Sequence, residues 1–398
     1  MEKVLDPVSV DLLKAELTPD KKLCNTNKAG NEIYVIDGTD APNVLLEIGR
    51  LREIAFRDSG GGTGFSVDLD EFDTTTDHPY KQIIIWDPDA SAILGGYRFI
   101  LGPDIQMQED GQPHITSSHM FHYSDRFIKD YLPHVMELGR SFVTPEYQSS
   151  KAGAKAIFAL DNLWDGIAAV ILQHPNIMYL LGKMTIYPSF DKSCRELIQH
   201  FLWKHFPDPD ELGRPKNPVG EDNDGRLLDL ILKDDDFKAD YRNLKEAVRK
   251  LGFNIPPLVN SYMNISPTMK MLGTGINDEF FDAYDTGILI CFDEMYADKR
   301  DRHKEPYFRH LAEKMRIRFP GIRQEAEELA GKLSAIMDSR RVQNFNKFLE
   351  KQKQQVVEAE KKIRRSLRRK KKEKVERSVA RKGGKSGQDR ASRCGKRR

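Results

Sequence analysis

Apolar residues along this chain recur with two different periods, and the switches between them outline a fold. Glu32-Ile-Tyr-Val-Ile36 is a short strand-like run. Asp40-Ala-Pro-Asn43 combines a capping residue with an early proline, which starts a helix, and Val44, Ile48, Leu51 and Ala55 continue it at helical spacing. Gln82–Trp86 and Ile93–Leu101 predict two strands joined by a turn at Asp87-Pro-Asp89. Another strand holds Met136-Glu-Leu-Gly-Arg-Ser-Phe-Val143. Residues 156–172 carry a helical apolar face, Ile177–Ile186 is strand-like, and Ser193–His205 is helical again. Strands first and helix–strand–helix afterwards predict an α+β fold, a mixed central sheet flanked by helices.

Residues 207–225 are rich in Pro, Asp and Gly and read as a linker, so a first domain is expected over 1–207. A C-terminal region, 208–320, is expected to pack on it. It contains a charged helix near 237–251, Ile255-Pro-Pro-Leu258 and a closing strand from Gly287 to Phe292. Apolar residues at 322, 326, 329, 333 and 336 predict a long charged amphipathic helix over 321–382. The remaining 383–398 are Gly, Ser, Lys and Arg and predict disorder.

Charge changes this picture more than composition does. The net charge of +2 hides a segregation: residues 341–398 hold 23 Lys and Arg against 6 Asp and Glu, leaving 40 against 55 for 1–340. An acidic body thus carries a basic tail. Such a tail suits an anionic membrane surface, where each basic residue contributes ~1 kcal/mol; nucleic acid is the less favoured partner. The four cysteines, Cys24, Cys194, Cys291 and Cys394, form no CxxC pair, which excludes the common zinc and redox motifs. MEKVLDPVSVDLL has no basic-then-apolar leader, and no apolar run approaches the ~20 residues of a membrane span. A cytoplasmic protein is expected, with a peripheral place at the inner face of the membrane.

Several charges fall where a core is predicted. Arg52 and Arg57 flank Phe56 at the end of the first helix, Asp70 and Asp73 follow in an acidic loop, and Arg98 interrupts an apolar strand. Buried charges need partners, so Arg98 and Arg140 predict carboxylates nearby, with Asp70, Asp73 and Glu137 the candidates. Together they predict a polar pocket. Glu137 and Arg140 pose a separate puzzle, because residues three apart on a regular strand face opposite ways. Three rival signals are weaker. His114, His119 and His122 lie in a loop, and no metal is expected. His205 and Asp210 match an acyltransferase spacing, but two prolines intervene. Gly60-Gly-Gly-Thr-Gly64 lacks the lysine of a phosphate loop and reads as a mobile active-site loop.

Arg52–Phe56, Asp70-x-x-Asp73, Gly96-Tyr-Arg98, Phe121 and Glu137-Leu-Gly-Arg140 resemble two groups of the GNAT superfamily. One is the acyl-homoserine-lactone synthases. The closer is the hemolysin-like N-acyltransferases, which make lyso-ornithine and lyso-glycine lipids from 3-hydroxyacyl-carrier protein. The resemblance continues through Leu163-Trp-Asp-Gly-Ile167, Gly182-Lys-Met-Thr-Ile-Tyr-Pro188, Ile255-Pro-Pro-Leu-Val259 and Asp285-Thr-Gly-Ile-Leu-Ile290, and is strongest to the glycine lipid enzymes. It implies a sheet whose fourth and fifth strands diverge, with the pantetheine arm of the donor in the gap. A bulge near Leu138–Gly139 would bring Glu137 and Arg140 to one side and free an amide for the thioester.

The resemblance also implies roles. Glu137 either takes the amine's proton or orients Arg140. Arg98 and Arg140 grip the acceptor carboxylate, and Tyr187 protonates the leaving thiolate. Arg52, Phe56, Asp70, Asp73, Phe121 and Ser141 complete the acceptor side, and Phe142, Val143, Gln148, Lys151, Gly153 and Lys155 the donor side. Enzymes of the fold that use coenzyme A cradle its pyrophosphate on Arg/Gln-x-x-Gly-x-Gly/Ala. Here Gln148-Ser-Ser-Lys-Ala-Gly-Ala154 puts Lys151 in place of the first glycine. That departure favours an acyl carrier protein as donor over acyl-CoA, and no bound cofactor is expected. The acceptor implied is glycine, with ornithine the alternative. A catalytically silent GNAT-like protein acting through its tail is the reading from another class.

Overall fold

The computed structural model describes residues 1–318 except 76, 149–153 and 221–224, and part of 325–354. In chain order the elements are α1 (Val10–Glu16), β1 (Lys22–Asn25), β2 (Glu32–Ile36), α2 (Pro42–Asp58), α3 (Glu71–Thr74), β3 (Lys81–Asp87), β4 (Ala92–Leu101), β5 (Phe121–Tyr123), β6 (Val135–Val143), α4 (Ala154–Gln173), β7 (Tyr179–Ile186) and α5 (Lys192–His205). They are followed by β8 (Gly213–Pro215), α6 (Gly225–Ile231), α7 (Phe237–Lys250), α8 (Pro257–Met263), β9 (Lys270–Asn277), β10 (Ala283–Cys291) and α9 (Ala297–Arg318).

Eight strands form one sheet in the order β1-β2-β3-β4-β6-β7-β10-β9, and β5 pairs with β8 separately. Every neighbouring pair in the sheet is antiparallel except β6 and β7, which run parallel with α4 as the crossover. Nine of the ten residues of β4 are buried, so both faces of the sheet centre are covered. On one face Ile83, Ile85, Phe99, Leu101, Met136 and Met184 pack against Leu163, Ile167 and Ile171 of α4 and Leu197 and Phe201 of α5. On the other, Ile84, Trp86, Ile93 and Phe142 pack beneath Val44, Ile48 and Leu51 of α2. The α+β class and the mixed sheet expected from the pattern are present.

Residues 1–339 form one compact unit and 340–398 a second. The boundary expected at 207 therefore separates nothing. β9 and β10 hydrogen-bond onto β7 and complete the sheet, so the region after the proline-rich loop is part of the same body. Several elements were not expected, β9 and α9 among them. β9 has a weak apolar pattern broken by Gly273 and Gly275, and α9 contains Pro306. Tertiary contact holds α9 in place: it packs on α4, and His303 Nδ1 lies 2.6 Å from Asp165 of that helix, both residues buried. Residues 328–341 are helical, within the span expected as a long helix, while the rest of that helix and the tail fall mostly or wholly outside the described residues.

Gly166 shows how closely α4 lies on the sheet. A Cβ there would sit 2.5 Å from Cγ2 of Ile83 and 3.2 Å from that of Ile33. Gly166→Val should destabilise the fold by about 1–3 kcal/mol through overpacking. A thermal melt reads this, and an unchanged or higher Tm would contradict the packing described.

Candidate active site

β6 and β7 pair at only three positions, Val135↔Tyr179, Met136↔Leu180 and Glu137↔Leu181. Beyond them the strands separate. A cavity of about 450 Å³ occupies the gap, lined by Leu138–Val143 of β6 and by Lys183, Thr185, Ile186 and Tyr187 at the end of β7. The departure coincides with a bulge. Against β4, Gly139 stands opposite Arg98 and Phe142 opposite Gly96, so three steps along β6 match two along β4. The extra residue falls at Arg140–Ser141, slightly later than the expected Leu138–Gly139. Arg140 has a φ of 48°, a left-handed conformation uncommon for a residue with a side chain.

The bulge answers the puzzle of side-chain phase. Glu137 and Gly139 face the α2 side, and the left-handed turn brings Arg140 onto that side too. Ser141 points to the opposite face, where it bonds Tyr97. Phe142 returns to the α2 core.

Arg140 ends a chain of ion pairs. Arg52 Nη1 lies 3.1 Å from Asp73 Oδ2, and Arg98 Nη1 lies 2.9 Å from the same oxygen. Arg98 Nη1 also reaches both oxygens of Asp70 at 2.7 Å. Arg140 Nε is 3.0 Å from Asp68, and its Nη2 is 3.7 Å from Asp70. Gln82 joins Arg52 to Asp73 through hydrogen bonds of 2.5 and 2.9 Å. Asp70 and Asp73 also cap α3 reciprocally, so this four-residue helix exists to aim two carboxylates. Burial alone would raise the pKa of Asp73, but the Arg52 and Arg98 guanidinium groups overcome it and hold the pKa at about 2.

Glu137 is set apart from this chain. Its carboxylate, 1% exposed, accepts hydrogen bonds from Tyr80 Oη, Ser117 N (2.9 Å), Ser117 Oγ (2.5 Å) and Thr116 Oγ1 (3.3 Å). Three of these donors meet Oε1, and Tyr80 meets Oε2. Glu137 and Arg140 share a sheet face, as expected, but Glu137 binds the 116–119 turn rather than orienting Arg140. Glu137 also does not line the cavity.

The polar end of the cavity is built by β7, β9 and β10. Asp285 accepts from Thr185 Oγ1 (2.5 Å), Asn277 Nδ2 (2.8 Å) and Lys183 Nζ (3.0 Å). Burial opposes its charge, but the Lys183 ammonium and these donors keep its pKa below the usual carboxylate range. Burial and the charge of Asp285 push the Tyr187 hydroxyl up to about 12, against the pull of Arg140. Phe280, at the β9–β10 turn, lies 5.1 Å beneath the Arg140 guanidinium and packs edge-on to Phe56 with centroids 5.5 Å apart. The other end is mainly apolar, with Tyr97, Phe190, Phe253, Pro256, Pro257, Leu258 and Tyr262.

Of the expected site residues, Phe56, Arg140, Ser141, Phe142, Val143, Gln148 and Tyr187 line this cavity. Arg52, Asp70, Asp73 and Arg98 stand behind it in the ion-pair chain, and Arg98 is 2% exposed with its guanidinium committed to aspartates. Phe121 is elsewhere, buried in β5 with its ring against Gly287. Lys151 and Gly153 lie outside the described residues, as does the side chain of Lys155. The Gly60–Gly64 loop is anchored, not loose: Glu53 accepts from Thr63 N, Thr63 Oγ1 and Gly64 N at 2.8–2.9 Å, and Gly61 packs on the Tyr187 ring. His205 and Asp210 bond different partners, Asp240 and Arg126. Among the described residues no group of three His, Cys, Asp or Glu is placed to hold a metal ion.

Lys183, Asp285, Asn277 and Phe280 were not assigned from sequence. The signal for Lys183 was present, a charge inside an apolar strand as Arg98 is, whereas Asp285 preceded the strand expected from Gly287.

The ion-pair chain predicts an acid limb in stability. Asp73 has a folded pKa of about 2, below its unfolded value of 3.8. Its contribution is complete above pH 4 and is lost as pH falls towards 2. Wild-type protein should lose about 2 kcal/mol more than Asp73→Asn between pH 4 and pH 2. Urea titrations across that range test this, and parallel curves for the two proteins would contradict it.

The acetyltransferase (GNAT) domain family matches over residues 51–156. A glycine N(alpha)-acyltransferase of Bacteroides thetaiotaomicron is 57% identical over 308 residues, covering 77% of this chain and 91% of that protein. One of Phocaeicola vulgatus is 53% identical over 317 residues, covering 80% and 97%. Among solved structures, a coenzyme A-dependent acyl-homoserine lactone synthase aligns over 70% of this chain and 90% of that one, at 12% identity and a TM-score of 0.31. No described helix is long and apolar enough to cross a membrane. The chain is an acyltransferase of the GNAT superfamily and belongs to the family of the glycine N(alpha)-acyltransferases.

Proposed function

We propose that this protein transfers a 3-hydroxyacyl group from acyl carrier protein to the amine of glycine, giving N-acylglycine, the first product of glycine lipid synthesis. The observation that carries this reading is the cavity at the β6–β7 divergence, polar at one end and mainly apolar at the other. An extended pantetheine arm carries amides, and strand edges that have stopped pairing offer it partners, as in β-strand addition. The thioester carbonyl then lies at the bulge, where a backbone N–H can stabilise the oxyanion. The acyl chain takes the end lined by Phe190, Phe253, Leu258 and Tyr262. A carrier-protein donor is supported by Lys151, a lysine where coenzyme A enzymes of this fold have a glycine.

The amine attacks the thioester carbon, a C–N bond forms and the C–S bond breaks. The proton lost by nitrogen ends on sulfur, so the exchange balances without a cofactor. Tyr187, with its pKa near 12, stays protonated at neutral pH and can donate a hydrogen bond to the departing thiolate. Glu137, enclosed by Tyr80, Thr116 and Ser117, acts by holding β6 to the 116–119 turn. The acceptor side is walled by the aromatic rings of Phe56, Phe280 and Tyr187, which suits glycine better than ornithine.

Purified protein supplied with 3-hydroxyacyl-carrier protein or the matching coenzyme A ester, and with glycine or ornithine, tests this by mass spectrometry. N-acylglycine should form, with kcat/KM at least tenfold higher for the carrier-protein donor. N-acylornithine as the main product would move the acceptor, and no product from either donor would overturn the reading. Arg140→Ala should lower kcat/KM for glycine by about 10- to 100-fold, the effect of losing a hydrogen bond to a charged group. Glu137→Gln should lower Tm yet keep kcat within about tenfold, whereas losing a general base costs about 10²–10⁴-fold. A loss of that size in a folded Glu137→Gln protein would restore Glu137 as the base.

A further inference from the structure

A glycine acceptor offers two handles, an amine that must be free to react and a carboxylate that can be held. The carboxylate needs cations that reach the cavity. Arg98, expected to share this work, does not reach it: Asp70 and Asp73 take up its guanidinium, and it is absent from the cavity wall. Among the described lining residues the cations are Arg140 and Lys183. Both are partly open, with side chains 22% and 18% exposed, against 2% for Arg98.

The placement of Lys183 follows from the strands. It stands opposite Gly287 on β10, which has no side chain to cover it, and the Phe121 ring fills the space beside that glycine. The lysine head turns along the strand to Asp285, 3.0 Å away, and lies 3.7 Å from the Met120 sulfur. An ammonium group has three donors. Asp285 takes one and the weakly accepting thioether another, which leaves a third for a ligand. Asp285 itself is fixed by Thr185 and Asn277, so the lysine is held at a set point in the wall. Arg140 and Lys183 line the same cavity, and Tyr187, on its wall, feels the charges of both Arg140 and Asp285.

We infer that Lys183, held by Asp285, binds the carboxylate of the acceptor amino acid together with Arg140, in the place expected for Arg98. This rests on the proposed acylation of glycine. It makes Lys183 a substrate-binding residue and Asp285 a positioning residue.

The test compares glycine with glycinamide, which keeps the amine and lacks the carboxylate charge. The ratio of kcat/KM for glycine to that for glycinamide is measured in wild type, Lys183→Met and Lys183→Arg. The different basicity of the two amines cancels when ratios are compared between proteins. In Lys183→Met the ratio should fall about 10- to 100-fold through a higher KM for glycine. Lys183→Arg should recover part of it, and KM for the acyl donor should move less than twofold. Because Lys183→Met strands the Asp285 carboxylate, Lys183→Met/Asp285→Asn is made in parallel; it should fold and show the same loss of preference. Equal losses on glycine and glycinamide in the folded double variant would overturn the inference and make the pair structural. Wild-type protein that acylates neither compound would overturn the acylation reading, and this inference with it.

Discussion

Only three residues of β6 hydrogen-bond to β7, and the position of everything that reacts depends on where that pairing stops. Backbone N–H and C=O groups inside a protein need partners, so two central strands do not separate without cause. The cause lies on β6. A left-handed Arg140 inserts one residue against β4 and turns the strand away from β7. Such a conformation costs of order 1–3 kcal/mol and persists only where its surroundings impose it. Here Asp68 and Asp70 hold the guanidinium, and Asp68 is tied to α2 through its amide, 2.9 Å from the Gly49 carbonyl. The gap between strands and the position of a cavity-lining cation therefore have one origin.

Five charged residues behind that cavity look at first like a store of stability. Buried ion pairs are poor at that, because desolvation offsets most of the attraction, while removing one partner is strongly destabilising. Their effect is geometric. Arg52 fixes Asp73 to α2, Asp73 and Asp70 fix Arg98 to α3, and Asp70 with Asp68 fixes Arg140. Each link joins a different element, so helix α2, the acidic loop and strands β4 and β6 are held in one register. Glu137 does the same for the 116–119 turn through uncharged donors. With four donors on it, the Glu137 carboxylate holds that turn in place.

Much of this was legible in the sequence because a charge in an apolar strand is a local anomaly. Arg98 predicted its own partners, Asp70 and Asp73; the three-residue spacing of Glu137 and Arg140 marked an irregular strand, and the family resemblance implied that the irregularity is a bulge. Its place could not be read, since a left-handed arginine is imposed by aspartates more than sixty residues earlier. Lys183 carried the same signal as Arg98, yet its pairing with Asp285 joins strands a hundred residues apart. The domain division failed for a similar reason. Proline and aspartate between 207 and 225 mark a surface loop, and nothing in a loop's composition tells whether the chain returns to the same sheet. β9, interrupted by two glycines, is strand only because β10 offers it an edge. The helix α9 survives Pro306 because α4 supplies a packed face and a buried aspartate for His303.

For the proposed acceptor the arrangement has a consequence for selectivity. Glycine has no side chain to recognise, so selection must combine charge with exclusion. A hydrophobic pocket discriminates against one extra methylene by only about 1–3 kcal/mol when it merely binds less well. A wall packed by several neighbours adds a steric penalty to that. Phe280 is such a wall: Arg140 lies over its face, Phe56 meets its edge, and the Tyr187 ring stands 6.3 Å away. The residue that would exclude a side chain is therefore packed against the arginine that would hold the carboxylate. An acceptor that pushed Phe280 aside would also disturb its own anchor. Recognition of the charge and rejection of bulk are then coupled through one aromatic contact.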